Sequence, residues 1–319
     1  MRLELAAALL AASLGAVAQA PTPPKAQSQP QQAQPAASVP ESLTMRAARR
    51  LQAGDVQGAL ADANLAIARD SHASGAHALR GSIRMTMGDR EGALSDMSRA
   101  IELTPNVHGI EIVHTNRANL YWLLGKPKQA MADVEHALKL KPDFGLALHV
   151  RGRIKADQGD LDGGLKDFDG AIKVEPKMMP AYMARAAVNM QAGRLQEALS
   201  DYKTLMWSLP NDSDVVAGHG VVRGLLGETE AGVNDLLKAR AMNRLSVSEQ
   251  DRGAATSPLE RLDQYRVMNP NDGRALVMRA AFSAINGHEE RALKELDEAV
   301  KMQPGLKPDA EKVRARIAR

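Results

Sequence analysis

The chain has no cysteine, which excludes thiol catalysis, disulfide bonds and Cys-ligated zinc. Aromatic residues are scarce, with 2 Trp, 4 Tyr and 3 Phe among 319 residues. One large globular core normally uses more rings, whereas thin layers packed through Ala, Leu and Met need few. Charge of one sign is also lacking: Lys+Arg 41 against Asp+Glu 38 leaves a formal net charge of +3. No dense Lys/Arg stripe with interleaved aromatics appears, which argues against a nucleic-acid partner.

Chemical apparatus is missing too. There is no phosphate loop, no G-x-S-x-G turn and no dinucleotide fingerprint. His288-Glu289-Glu290 lacks the second histidine of a metalloprotease helix. Asp157 to Asp169 lacks the alternating ligands and closing Glu of a calcium loop. The pairs His72/His77 and His108/His114 have neither helical i, i+4 spacing nor a third ligand nearby. The sequence therefore reads as a non-enzyme with no metal and no cofactor.

What is present begins with residues 1–20, which have the form of a signal peptide. Arg2 supplies a basic start, Leu5 to Val17 an apolar stretch too short to span a bilayer comfortably, and Ala18-Gln19-Ala20 a small-x-small cleavage site. Cleavage is expected after Ala20, giving a periplasmic or secreted protein, with the periplasm of a Gram-negative bacterium favoured. Residues 21–40 (PTPPKAQSQPQQAQPAASVP) are rich in Pro, Gln and Ala with one charge, a composition that predicts a disordered linker. No later segment is long and apolar enough to cross a membrane.

From residue 41 to 304 a pattern repeats. Glycines stand at Gly54, Gly88, Gly125, Gly159, Gly193, Gly227, Gly253 and Gly287, spaced by 34, 37, 34, 34, 34, 26 and 34. Seven residues before and five after most of them sits Ala or Gly, as at Ala47 and Ala59 or Gly152 and Gly164. Seventeen after come Pro105, Pro142, Pro176, Pro210, Pro270 and Pro304. Two apolar-periodic stretches of about fourteen residues flank each glycine, enough for helices of roughly 20 Å. The glycine ends the first helix in the left-handed conformation, the small residues let the two helices approach, and the proline closes the second. A lone hairpin cannot bury its apolar faces, so neighbours must stack.

The pattern resembles the tetratricopeptide repeat in period, small-residue positions and terminal proline. The clearest copy is Leu148 to Pro176, with Gly152, Ala156, Gly159, Gly164, Phe168, Ala171 and Pro176 in the family's slots. The resemblance implies an all-α fold, a right-handed α-solenoid of about eight helical hairpins. The 37-residue spacing predicts a longer loop around Asn106 to Ile110. The 26-residue spacing predicts a degenerate seventh hairpin with a stunted first helix, and a local kink or gap there. Residues 305–319 read as a C-terminal capping helix with a charged outer face.

A charge pair repeats with the same period. Eight before the glycine stand Arg46, Arg80, Arg117, Arg151, Arg185 and Arg279; eight after stand Asp62, Asp96, Asp133, Asp167, Asp201 and Glu295. Residues equidistant from the turn of an antiparallel hairpin lie at one height, so each pair is expected to form a structural ion pair. The seventh hairpin loses both members together, at Leu245 and Arg261.

The family resemblance further implies a concave groove lined by first helices. Its candidate contact residues here are Met85, Asn119, Trp122, His149, Arg153, Met183, Met190 and Gln191, although the methionines also suit packing between hairpins. The expected function is an extracytoplasmic scaffold that binds a peptide or helix of an envelope protein. The alternatives are a signal-anchored subunit of a membrane complex and a small-molecule-binding protein.

Overall fold

A computed structural model of the chain describes residues 42–105, 107, 109–245 and 257–317, with the side chains of 243–245 excepted. The expected signal peptide, its cleavage site and the linker lie outside the described residues. Among the described residues there are sixteen α-helices and no strand. They fall into two compact units, divided at Pro142.

The first unit holds three hairpins: α1 (Leu43–Gln52) with α2 (Val56–Arg69), α3 (Ser74–Thr86) with α4 (Arg90–Leu103), and α5 (Ile110–Leu123) with α6 (Pro127–Leu140). Each pair packs together, and α3 and α5 rest on the second helix of the hairpin before them. The turn glycines have the positive φ that the repeat demands, 80° at Gly54, 81° at Gly88 and 68° at Gly125. Helices α4 and α6 end at Leu103 and Leu140, each two residues before a proline. The longer loop is present: Thr104 to Gly109 separates α4 from α5, against Asp70 to Ala73 between α2 and α3. The core is thin, as the composition required, built from Ala47, Leu51, Ala59, Ala63, Leu79 and Ile83, then Ala93, Met97 and Leu120.

The second unit begins with α7 (Gly145–Asp157) and α8 (Leu161–Val174), α9 (Met179–Gln191) and α10 (Leu195–Ser208), and α11 (Ser213–Leu225) and α12 (Thr229–Leu245). After residues 246–256, which are not described, come α13 (Pro258–Met268), α14 (Gly273–Ile285), α15 (Glu289–Met302), a 3₁₀ turn at Pro304–Leu306 and α16 (Lys307–Ile317). The seventh hairpin is thus represented among the described residues by its second helix, α13, alone. The gap expected in the row is closed: α14 packs directly on α11 and α12, so the α14–α15 hairpin takes the place next to the sixth. Helix α13 lies instead against α9, α11 and α14. The terminal helix α16 covers α12, α14 and α15, burying Ala310 and Val313 and turning Glu311, Lys312 and Arg316 to solvent.

Candidate functional site

The paired helices place every expected ion pair within hydrogen-bonding distance. Arg46, Arg80, Arg117, Arg151 and Arg185 each donate two hydrogen bonds to their aspartate, for example Nε and Nη2 of Arg80 to Asp96 at 2.8 and 2.6 Å and those of Arg185 to Asp201 at 3.0 and 2.6 Å. The fork geometry of the guanidinium matches the two carboxylate oxygens. Arg279 meets Glu295 at 2.9 Å, and in the sixth hairpin His219 replaces arginine, with Nδ1 2.9 Å from Asp235.

Two further features were not read from the sequence. First, most of the acids hold a second base. Arg50 reaches Asp62 at 2.9 Å, Arg84 reaches Asp96 at 2.7 Å, Lys155 reaches Asp167 at 2.8 Å and Arg223 reaches Asp235 at 3.3 Å. These bases stand four residues before the turn glycine, a slot that other hairpins fill with Tyr121, Asn189 and Ser283. In the third hairpin His114 serves, with Nδ1 2.9 Å from Asp133. Second, the arginine also reaches back to the preceding hairpin. Arg80 donates to Asn64 at 3.0 Å, Arg117 to Ser98 at 3.1 Å, Arg185 to Asp169 at 2.5 Å and Arg279 to Asp263 at 3.3 Å. One guanidinium therefore ties its own hairpin shut and joins it to its neighbour.

The electrostatics follow. The hydrogen bond from Arg46 holds the Asp62 carboxyl below the usual carboxylate value. Burial works to raise Asp133, Asp167 and Asp235, but Arg117 with His114, Arg151 with Lys155, and His219 with Arg223 outweigh it and bring all three down. Asp201 is the exception: burial, with Asp169 nearby, pushes its carboxyl up despite Arg185. Each arginine of the ladder thus has an acid against it.

The groove candidates separate by unit. In the first, Met85 is half-buried and packs against both core clusters. Asn119 and Trp122 stand three apart on α5, both half-buried, which puts them on one helical face. The structure gives the Asn119 side chain no hydrogen bond within the chain among the described residues.

In the second unit, His149 is buried with its ring 5.8 Å from that of Phe168, and its Nδ1 has no hydrogen-bond partner. Burial, helped by the charge of Arg153, pushes its pKa down to about 3. Burial also lowers Arg153 itself, against the pull of Asp157. Met183 is half-buried against the core, and Gln191 is half-buried at the end of α9. Met190 is a core residue at 1% exposure, its sulfur 4.0 Å from the Tyr202 hydroxyl. Its apolar character reflects packing, as the methionine ambiguity in the sequence allowed.

Among the described residues no helix is long and apolar enough to cross a membrane, and no group of three or more His, Asp or Glu is placed to hold a metal ion.

Residues 149–205 match one family model described as a tetratricopeptide repeat, and residues 74–107 and 113–144 match a second of the same description. The FK506-binding protein-like protein of Rattus norvegicus is 34% identical over 87 residues, which is 27% of this chain and 25% of that one. The chain thus spans about a quarter of that curated relative's length. A solved tetratricopeptide repeat protein from Parabacteroides merdae superimposes with a TM-score of 0.53 at 18% identity, covering 85% of this chain and 97% of its own. PilW, a type IV pilus biogenesis factor, does so with a TM-score of 0.57 at 21% identity, covering 65% of this chain and 94% of its own. Both share the fold.

Proposed function

We propose that this chain, a tetratricopeptide-repeat protein, is an exported scaffold for protein–protein interaction and that the faces of its first helices receive a peptide or helix of an envelope partner. The observation that carries this reading is the pair Asn119 and Trp122. An apolar ring of large area stands beside an amide that makes no hydrogen bond among the described residues, a combination suited to binding an apolar side chain and the polar backbone next to it. Met85 adds an adaptable contact in the same unit. In the second unit Arg153, Met183 and Gln191 supply the corresponding face, with the buried His149 and Met190 behind it. The proposed role is binding without catalysis.

Export rests on the form of residues 1–20. Intact mass of the native protein tests it: a chain starting at Pro21 supports cleavage, and one that retains residues 1–20 favours an anchored subunit of a membrane complex. Binding is tested by affinity purification from the native envelope with the wild type and with Trp122→Ala and Asn119→Ala. Loss of the same partner band from both variants, with helicity retained, supports the groove. Equal recovery with all three proteins refutes it.

A further inference from the structure

One helix has left the row. Within each unit, a regular first helix rests on its own second helix and on the second helix of the hairpin before, as α3 rests on α4 and α2 and α11 on α12 and α10. Helix α13 lies against α9, α11 and α14, each of which opens a hairpin. It is 11 residues long and starts with a complete capping box, Ser257 and Glu260 satisfying one another's backbone N–H groups.

Its contacts have the form of a ligand. The buried residues are Pro258, Arg261, Leu262 and Tyr265. They stand at i, i+3, i+4 and i+7, the anchor spacing of an amphipathic helix lying in a groove. Leu262 is 0% exposed and Tyr265 4%. Arg261 donates from Nη1 to the Tyr202 hydroxyl at 2.7 Å, and that hydroxyl lies 4.0 Å from the sulfur of Met190 on α9. Tyr202 lies across Gly218 of α11, where an added Cβ would overlap the ring. The opposite side of α13 is solvated, with Glu260 and Gln264 exposed and Val267 78% exposed. On one side the contacts of the regular repeat survive: α14 rests on α13, and Arg279 donates to Asp263.

The face beneath α13 is apolar to match. Nine of the 13 residues of α11 are buried, including Val215, Ala217, Val221 and Gly224. A helix that is apolar all round needs cover on every side. Helices α10, α12 and α14 account for part of that cover and α13 for the rest.

We infer that α13 is an internal occupant of a helix-binding face formed by α9, α11 and α14. The partner that displaces it is an amphipathic helix with the same signature, apolar residues at i, i+4 and i+7 and an arginine at i+3 to meet Tyr202. This rests on the reading that first-helix faces receive partners, and it adds that one such face is closed at rest. The tether makes the occupant hard to displace. An attached segment acts at an effective concentration of order mM, so a free helix binding equally well is largely excluded.

The test uses the full chain and a fluorescent peptide of residues 257–269 (SPLERLDQYRVMN). The variant Leu262→Asp/Tyr265→Asp removes the two apolar anchors of the tethered copy and leaves α9, α11 and α14 intact. The peptide is expected to bind this variant on the order of 100-fold tighter than the wild type, by the effective concentration it no longer faces. Its Arg261→Ala version is expected to bind more weakly. A variant that keeps its helicity and takes up no peptide overturns the inference. Should the variant not fold, hydrogen exchange on the unaltered chain decides. Amides of α13 exchanging on the order of 100-fold faster than those of α9, α11 and α14 support a separately releasable helix. Exchange together with those helices overturns it. Failure of the partner reading is distinguishable, because it is scored at Trp122 and Asn119 in the first unit with a different probe.

Discussion

A carboxylate shared by two or three bases is sensitive to its own removal, because the bases are left behind. Asp96 is 3% exposed and receives Arg80 and Arg84, with His77 Nδ1 3.6 Å away. Asp96→Ala leaves the partly buried Arg80 without a carboxylate and Arg84 with only the more exposed Asp89 at 3.5 Å, and urea denaturation of the variant is expected to show a loss of about 3 kcal/mol. The pH dependence divides into two windows. Asp62, Asp133, Asp167 and Asp235 have folded pKa values below their unfolded ones. Their contribution is complete above the unfolded value, about pH 4, and is lost as pH falls through the folded values. His149 acts earlier. Its folded pKa of about 3 means that below the unfolded value, about 6.5, the unfolded chain binds a proton that the fold refuses. Stability should therefore decline from about pH 6.5 downward, by at most about 1.4 kcal/mol per pH unit from this residue. His149→Leu, an apolar side chain against Phe168, should flatten the curve between pH 6.5 and 4. A variant curve parallel to the wild type in that range would remove His149 as the cause. The arginine–acid pairs were legible because equidistance from a turn fixes their height. The second base was not read because its slot varies, Arg50, Arg84, Tyr121, Lys155, Asn189, Arg223 and Ser283. Burial of His149 depends on a neighbouring ring, which spacing alone does not place.

At the scale of the hairpin, small residues decide how closely two helices lie. In the sixth hairpin both crossing positions are glycine. A Cβ on Gly220 would stand 2.7 Å from the Asp235 Cβ and 2.7 Å from the Gly232 carbonyl oxygen. The carbonyl is backbone and cannot turn aside, so α11 and α12 must part. Overpacking of this kind costs about 1–3 kcal/mol, against a gain of about 1 kcal/mol in helix propensity. Gly220→Ala should thus lower the midpoint of thermal unfolding. Gly75, in the first turn of α3 with open space around it, is the control: Gly75→Ala should leave the midpoint unchanged or raise it slightly. The helices themselves were readable in sequence. Seven of the eight turn glycines fall in described residues and all seven have positive φ, and six second helices end two residues before their proline. The seat of α13 was not readable. Its glycine spacing marks it as a second helix, and a missing eight-residue stretch says that the row is interrupted without saying where the displaced helix lands. That is decided by which apolar face is left open once α14 closes on α11 and α12.

At the scale of the molecule, a repeat array is held by contacts between neighbours, and its last member needs a cover of its own. Helix α16 supplies it. Val313 is 1% exposed, Ala310 0% and Leu306 6%, and Arg316 donates to Asn234 of α12 at 3.1 Å. Arg314 meets Asp297 of α15 as well. Truncation after Gln303 uncovers this apolar surface on α12, α14 and α15, and burial of one valine and one leucine is worth of the order of 3 kcal/mol. Because the energy of such an array is close to a sum of local terms, the loss should be felt near the cut. Hydrogen exchange of the truncated chain is expected to accelerate in α14 and α15, then in α12, and to leave α1 to α4 unchanged. Binding of an apolar dye should rise in parallel. Uniform acceleration from α1 onward would mean that the chain unfolds as one cooperative body, and the nearest-neighbour account of its stability would have to be abandoned.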